Sequence, residues 1–148
     1  MVKNTKIIIG LVGEKGVGKT TAALVMKDKG FYKCSIKTKV KEFAGHLFNE
    51  LNEENEEKIL QQVRKRGKAI HKYYWLNLLL MSIPEEKKYI VIDDIELDDA
   101  NNFVKIYSVY RPSISKERIK NVEEIVNEGT KEEFEKKIQI LAINLKKK

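Results

Sequence analysis

A chain of 148 residues with a formal net charge of +7 suits one domain over 1–148, large enough for a real core and too small for a large inserted domain. It holds no run of 18 apolar residues, and its first residues lack the basic, apolar, small-residue order of a signal peptide. The expectation is therefore a cytoplasmic protein with no membrane partner. The single cysteine, Cys34, forms no internal disulfide and belongs to no zinc set, so a buried, unreactive thiol is expected.

The first strand is predicted over Lys6 to Val12, from the run Ile7-Ile8-Ile9-Gly10-Leu11-Val12. Gly13-Glu14-Lys15-Gly16-Val17-Gly18-Lys19-Thr20 follows and spells G-x-x-x-x-G-K-S/T, the phosphate-binding loop. Its glycines let backbone N–H groups curl around a polyphosphate at the positive end of the next helix, predicted over Lys19 to Lys29 and closed by Gly30. In that loop Lys19 reaches the β- and γ-phosphates, and the Thr20 hydroxyl ligates Mg²⁺. A glycine-rich turn without a ligand is the bland alternative, and the strand-loop-helix context argues against it.

Phe31 to Ile36 reads as a second strand. Helical pattern then fills most of Lys37 to Ser82, with Val40, Phe43, Ala44, Leu47, Phe48 and Leu51 on one face, breaks near Asn52 and Gly67, and an end at Pro84. So long a helical block between two strands suggests a flap over the carboxyl edge of the sheet, where open α/β folds bind ligands. Lys41, Arg64, Arg66 and Lys68 are its candidate acceptor-phosphate ligands, although solvated helix faces look the same. Tyr73-Tyr74-Trp75 and the leucines after it read as a core helix, with Trp75 or Tyr74 the candidate for stacking on an acceptor base. His46 and His71 have no partners at metal or triad spacing.

Tyr89-Ile90-Val91-Ile92 predicts a buried third strand with Asp93 and Asp94 at its end, where Mg²⁺ beside a phosphate loop needs a negative partner. Strand-end aspartates also cap helices, and the sequence does not show which of the two faces the metal. Only a short helix, Asp98 to Val104, fits before the fourth strand, Lys105 to Tyr110. Arg111 and Arg118 then fall in a polar stretch that reads as a short lid over ATP. Glu124 to Asn127 is the fifth strand. Thr130 to Lys147 is a final helix capped by Thr130, with Glu133 three residues on and the last lysines, through Lys148, at its negative pole. Alternating strand and helix periodicities make the whole an α/β domain on a mainly parallel sheet.

The order of these segments resembles the bacteriophage-type deoxynucleoside monophosphate kinases, within the wider group of nucleoside monophosphate and dephospho-coenzyme A kinases. The likeness covers nearly the whole chain. Its carriers are the phosphate loop, Gly30-Phe31, Ser35 with Val40-Lys41-Glu42, and Leu60-Gln61 through Tyr74-Trp75. They continue with Ile92-Asp93-Asp94-Ile95, Val109-Tyr110-Arg111-Pro112 and Ile125-Val126-Asn127-Glu128-Gly129-Thr130.

That resemblance implies a three-layer P-loop nucleotide kinase fold with a five-stranded parallel sheet in order 2-3-1-4-5, a helical acceptor flap at about 37–82 and a lid at about 111–121. It implies γ-phosphoryl transfer from ATP with Mg²⁺ to a nucleoside or deoxynucleoside monophosphate. ATP would lie on Gly13, Gly16, Val17, Gly18, Lys19, Thr20 and Thr21, with Asn127 and Gly129 beside the adenine. Lys19, Arg111 and Arg118 would offset charge on the moving group. Thr20 with Asp93 or Asp94 would hold Mg²⁺, and Lys41, Arg64, Arg66 and Trp75 would hold the acceptor.

The competing expectation is an ATP-binding module with a degenerate acceptor site, acting on nucleic acid or protein. It draws on the positive charge, on Glu96 where the family has arginine after its strand-end aspartate, and on His71 where it has another. Nucleic acid is not the favoured partner, since a phosphate-binding enzyme needs the same charge. No asparagine-lysine-x-aspartate guanine element is present, which disfavours a GTPase, and a homodimer is compatible with the sequence.

Overall fold

A computed structural model describes residues 6–47, 55–99 and 104–147. The strands are β1 (Ile7–Val12), β2 (Tyr32–Cys34), β3 (Tyr89–Ile92), β4 (Val104–Tyr110) and β5 (Glu123–Val126), with β-branched residues concentrated in β1, β3 and β4. They form one sheet in the order β2-β3-β1-β4-β5, with every pairing parallel. The sheet is buried on both faces over β1 and β3, which is why those strands read as continuous apolar runs.

Helices α1 (Lys19–Asp28) and α5 (Lys131–Lys146) cover one face, α2 (Ile36–Leu47), α3 (Glu56–Ile70) and α4 (Tyr74–Met81) the other. Two cores result. Phe134, Ile138, Met26 and Val25 pack with Ile9, Leu11, Tyr107 and Val109 on the first face. Trp75, Leu76, Leu79, Val40 and Ile36 pack with Ile8, Ile90 and Ile92 on the second. Each fully buried aromatic or large aliphatic contributes about 1.5–3 kcal/mol relative to exposure. Among the described residues no helix is long and apolar enough to cross a membrane.

Two expectations need correction. Ile36 does not end the second strand; it begins α2, because the Asp94 carboxylate at the end of β3 accepts the amides of Ile36 (2.7 Å) and Lys37 (2.8 Å) and starts the helix there. Gly67 does not break the flap, since α3 runs through it to Ile70. A Cβ at Gly67 would stand 2.6 Å from the Trp75 indole nitrogen, so the glycine serves the close approach of α4, not a bend. Between β3 and β4 the described residues hold a 3-10 turn, Leu97–Asp99, and most of the helix expected over Asp98 to Val104 lies outside the described residues.

Phe43 also departs from the apolar face that buries Val40 and Ala44, lying 40% exposed with its ring edge-on to Trp75. The expected positions Phe48, Leu51, Asn52 and Lys148, and the side chains of His46 and Leu47, lie outside the described residues.

Candidate active site

The turn from β1 into α1 is shaped by its glycines. A Cβ at Gly13 would meet the backbone oxygen of Val109 at 2.7 Å, and Gly18 holds φ of 113° at the N-cap of α1. No side chain caps α1. Its first-turn amides and the positive end of its dipole are thus left facing the adjoining cleft, an arrangement suited to an anion. Lys19 Nζ donates to the Gly13 carbonyl at 2.7 Å, which bridges the loop and keeps the ammonium at its mouth.

Two clefts meet at this loop. The first, about 720 Å³, runs along the α1 N-terminus to the β5–α5 turn and is lined by Gly16, Gly18, Lys19, Thr20 and Thr21 with Asp93, Arg111, Asn127 and Gly129. The second, about 850 Å³, lies on the flap face of the sheet over β1 and β4. Its floor is Val12, Ile95 and Ser108, and its walls are Glu57 and Arg64 from α3 and residues 115–117 and 119 beyond β4. Lys15, Lys19, Lys37 and Asp94 line both clefts and mark the junction.

Other contacts hold the first cleft in shape. Asn127 Nδ2 donates to the Val17 carbonyl at 2.8 Å, and its amide donates to Tyr110 at 2.7 Å, so the β5–α5 turn is fastened to both the loop and β4. Thr130 caps α5 by accepting the Glu133 amide at 3.2 Å. The segment after β4 folds back onto the loop: Arg111 Nη1 donates to the Gly16 carbonyl at 3.2 Å, and the Lys116 amide donates to Glu14 Oε2 at 2.7 Å.

The two aspartates divide. Asp94 caps α2 as described, and burial pushes its carboxyl above the ordinary range against the lowering effect of the two amides. Asp93 Oδ2 pairs with Lys33 at 3.3 Å, while its Oδ1 is buried without a hydrogen-bond partner among the described residues. A buried carboxylate oxygen left orphaned in a cleft fits a cation, and Thr20 lines the same cleft. Among the described residues no group of three or more His, Cys, Asp or Glu is placed to hold a metal ion. Mg²⁺ bound with a nucleotide takes most of its ligands from phosphates and water, so one or two protein oxygens suffice.

Of the expected acceptor residues, only Arg64 lies in the second cleft, with Nη2 donating to the Asp94 carbonyl at 3.4 Å. Lys41 pairs with Glu56 at 2.8 Å and lines neither cleft. Arg66 lines a separate apolar hollow beside Phe43, Ile70 and Tyr74. Trp75 is 2% exposed and donates its indole N–H to the Arg64 carbonyl at 2.8 Å, so it is a core residue that positions the arginine's backbone. Arg118 lines neither cleft, but it stacks 4.4 Å over the Tyr110 ring and contacts Glu124 at 3.6 Å, two residues that border the second. His71 ends α3 and accepts the Tyr73 amide on Nδ1 at 3.1 Å.

Lys37 and Ser108 carry no sequence signal that marks them. Lys37 reaches the junction only because Asp94 caps α2, and Ser108 is one polar residue inside an apolar strand. No protein-family model matches this chain, and no curated protein does.

Proposed function

We propose that this chain is an ATP-dependent kinase that moves the γ-phosphoryl group onto a nucleoside or deoxynucleoside monophosphate, with the fold of the P-loop nucleotide kinases. The observation that carries this reading is the meeting of two clefts at Lys15, Lys19 and Lys37, beside an uncapped helix N-terminus. A donor polyphosphate in the first cleft and an acceptor phosphate in the second would then face each other across the loop.

In-line transfer breaks the bond between the γ-phosphorus and the oxygen kept by ADP and forms one to an acceptor phosphate oxygen, with no protein nucleophile. The chain's part is to align the partners and offset charge. Lys19 would exchange the Gly13 carbonyl for the phosphates, Arg111 would leave Gly16 for the transferred group, and Arg64 with Lys37 would hold the acceptor phosphate. Thr20 and Asp93 are the residues that would hold Mg²⁺, which supplies charge neutralisation between the phosphates. Asn127 and Gly129 border the end of the first cleft suited to the base.

The competing reading, an ATP-binding module without an acceptor, draws on Glu96 in the wall of the second cleft. Its charge is countered there by Lys68 at 3.6 Å. A panel of monophosphates incubated with ATP and Mg²⁺, resolved by nucleotide separation, tests the choice. Diphosphate product with at least one acceptor is expected. ATP binding with no product, together with salt-dependent nucleic-acid binding, would overturn the kinase in favour of the module.

A further inference from the structure

Glu57 and Arg64 stand seven residues apart on α3 and both line the second cleft, so one helix face presents an acid and a base about two turns, or roughly 10 Å, apart. Arg64 sits at the inner end, on the Asp94 carbonyl and near Lys37 and Lys19, where an acceptor phosphate belongs. Glu57 is then the outer group, at about the reach from a 5′-phosphate to the far edge of a base. Most other carboxylates of the cleft are engaged: Asp94 by α2, Glu14 by Lys116, Glu96 by Lys68 and Glu124 by Arg118. Glu57 is exposed and has no ion pair or hydrogen bond among the described residues.

The floor gives a second, independent sign that the cleft is completed by a ligand. Ser108 is 3% exposed, lines the cleft, and its Oγ has no hydrogen-bond partner among the described residues. Folding rarely leaves a buried hydroxyl orphaned unless something else satisfies it.

We propose that this cleft selects monophosphates whose base carries an exocyclic amino group, and that Glu57 accepts the hydrogen bond from that group. The inference rests on the kinase reading of the same site. A carboxylate only accepts, so it favours the amino group of cytosine or adenine and opposes the carbonyl oxygen that uracil or hypoxanthine presents in the same place. Such an unmatched acceptor pair costs affinity on both sides.

The test is calorimetric titration of the protein, saturated with a non-hydrolysable ATP analogue and Mg²⁺, with the matched pairs CMP and UMP, and AMP and IMP. Binding of the amino member about tenfold or more tighter is expected in at least one pair. Glu57→Gln, whose amide both donates and accepts, is expected to bring that ratio near one while the amino member still binds. Equal affinities in both pairs, an unchanged ratio in Glu57→Gln, or no binding of any of the four would overturn the proposal. Discrimination in binding with no phosphoryl transfer would uphold the base selection and overturn the kinase reading instead.

Discussion

Asp94 accepts the first two amides of α2, so its loss should cost stability, whereas Asp93 offers a buried oxygen with nothing bound to it. Asp94→Ala is expected to lower stability by about 1 kcal/mol, as removal of a helix cap does, read as a drop in melting temperature. Asp93→Asn should melt close to wild type and lose the Mg²⁺ dependence of ATP binding. If the two variants exchanged these properties, the assignment would be reversed.

Cys34, the last residue of β2 and the neighbour of Ile92 just before the aspartates, is a separate case. Burial, with Asp94 and Asp93 nearby, pushes its thiol from 9.0 up to about 12. The folded thiol therefore stays neutral while the unfolded one ionises near 9.0. Its contribution to stability is full below that pH and is lost as pH rises from there toward 12. Alkylation at pH 9 should accordingly be at least about a hundredfold slower in the native protein than in denaturant. Equal rates would show an accessible thiolate.

At the scale of elements, the flap depends on how closely α3 and α4 approach. Gly67 leaves room for the Trp75 indole, which in turn donates to the Arg64 carbonyl. Gly67→Ala puts a methyl group within 3 Å of three indole atoms and should cost about 1–3 kcal/mol, despite the better helix propensity of alanine. Because the clash displaces the tryptophan that holds Arg64, the variant should also raise KM for the acceptor more than for ATP. A stabilised variant with unchanged kinetics would mean that the helices separate freely.

The same elements show why the flap was only partly legible. Apolar spacing revealed helices, but a glycine in a helical run signals a break or a close contact equally well, and only the neighbouring helix decides. Ile36 was misplaced for a similar reason: its β-branched side chain suits a strand, and the carboxylate that turns its amide into a helix start lies 58 residues away.

For the whole molecule, a ligand that binds the native state alone raises the melting temperature by mass action. ATP with Mg²⁺ should stabilise the protein by about 2.7 kcal/mol at a hundred times its dissociation constant. Lys19→Ala should abolish that shift while melting near wild type without ligand, since it removes one side-chain hydrogen bond, to the Gly13 carbonyl. An undiminished ATP shift in this variant would place the nucleotide elsewhere.

The sequence by itself determined the mainly parallel α/β architecture, because alternating strand and helix periodicities are local, and it marked the glycine-rich turn at Gly13 to Thr20, because those residues are contiguous; the strand order, which the structure bears out, was implied only by the family resemblance. Tertiary structure alone decided which side chains share a cleft. Lys41 and Arg66 carry the same charge as Arg64, yet Glu56 and an apolar hollow take them elsewhere, and Arg118 only borders the second cleft, stacked on Tyr110. Lys37 enters the site because Asp94 caps α2, and Ser108 because β4 lies beside β1. A helix face looks alike in sequence whether it meets water, a neighbour or a ligand, and the direction in which it points is fixed only when the layers pack.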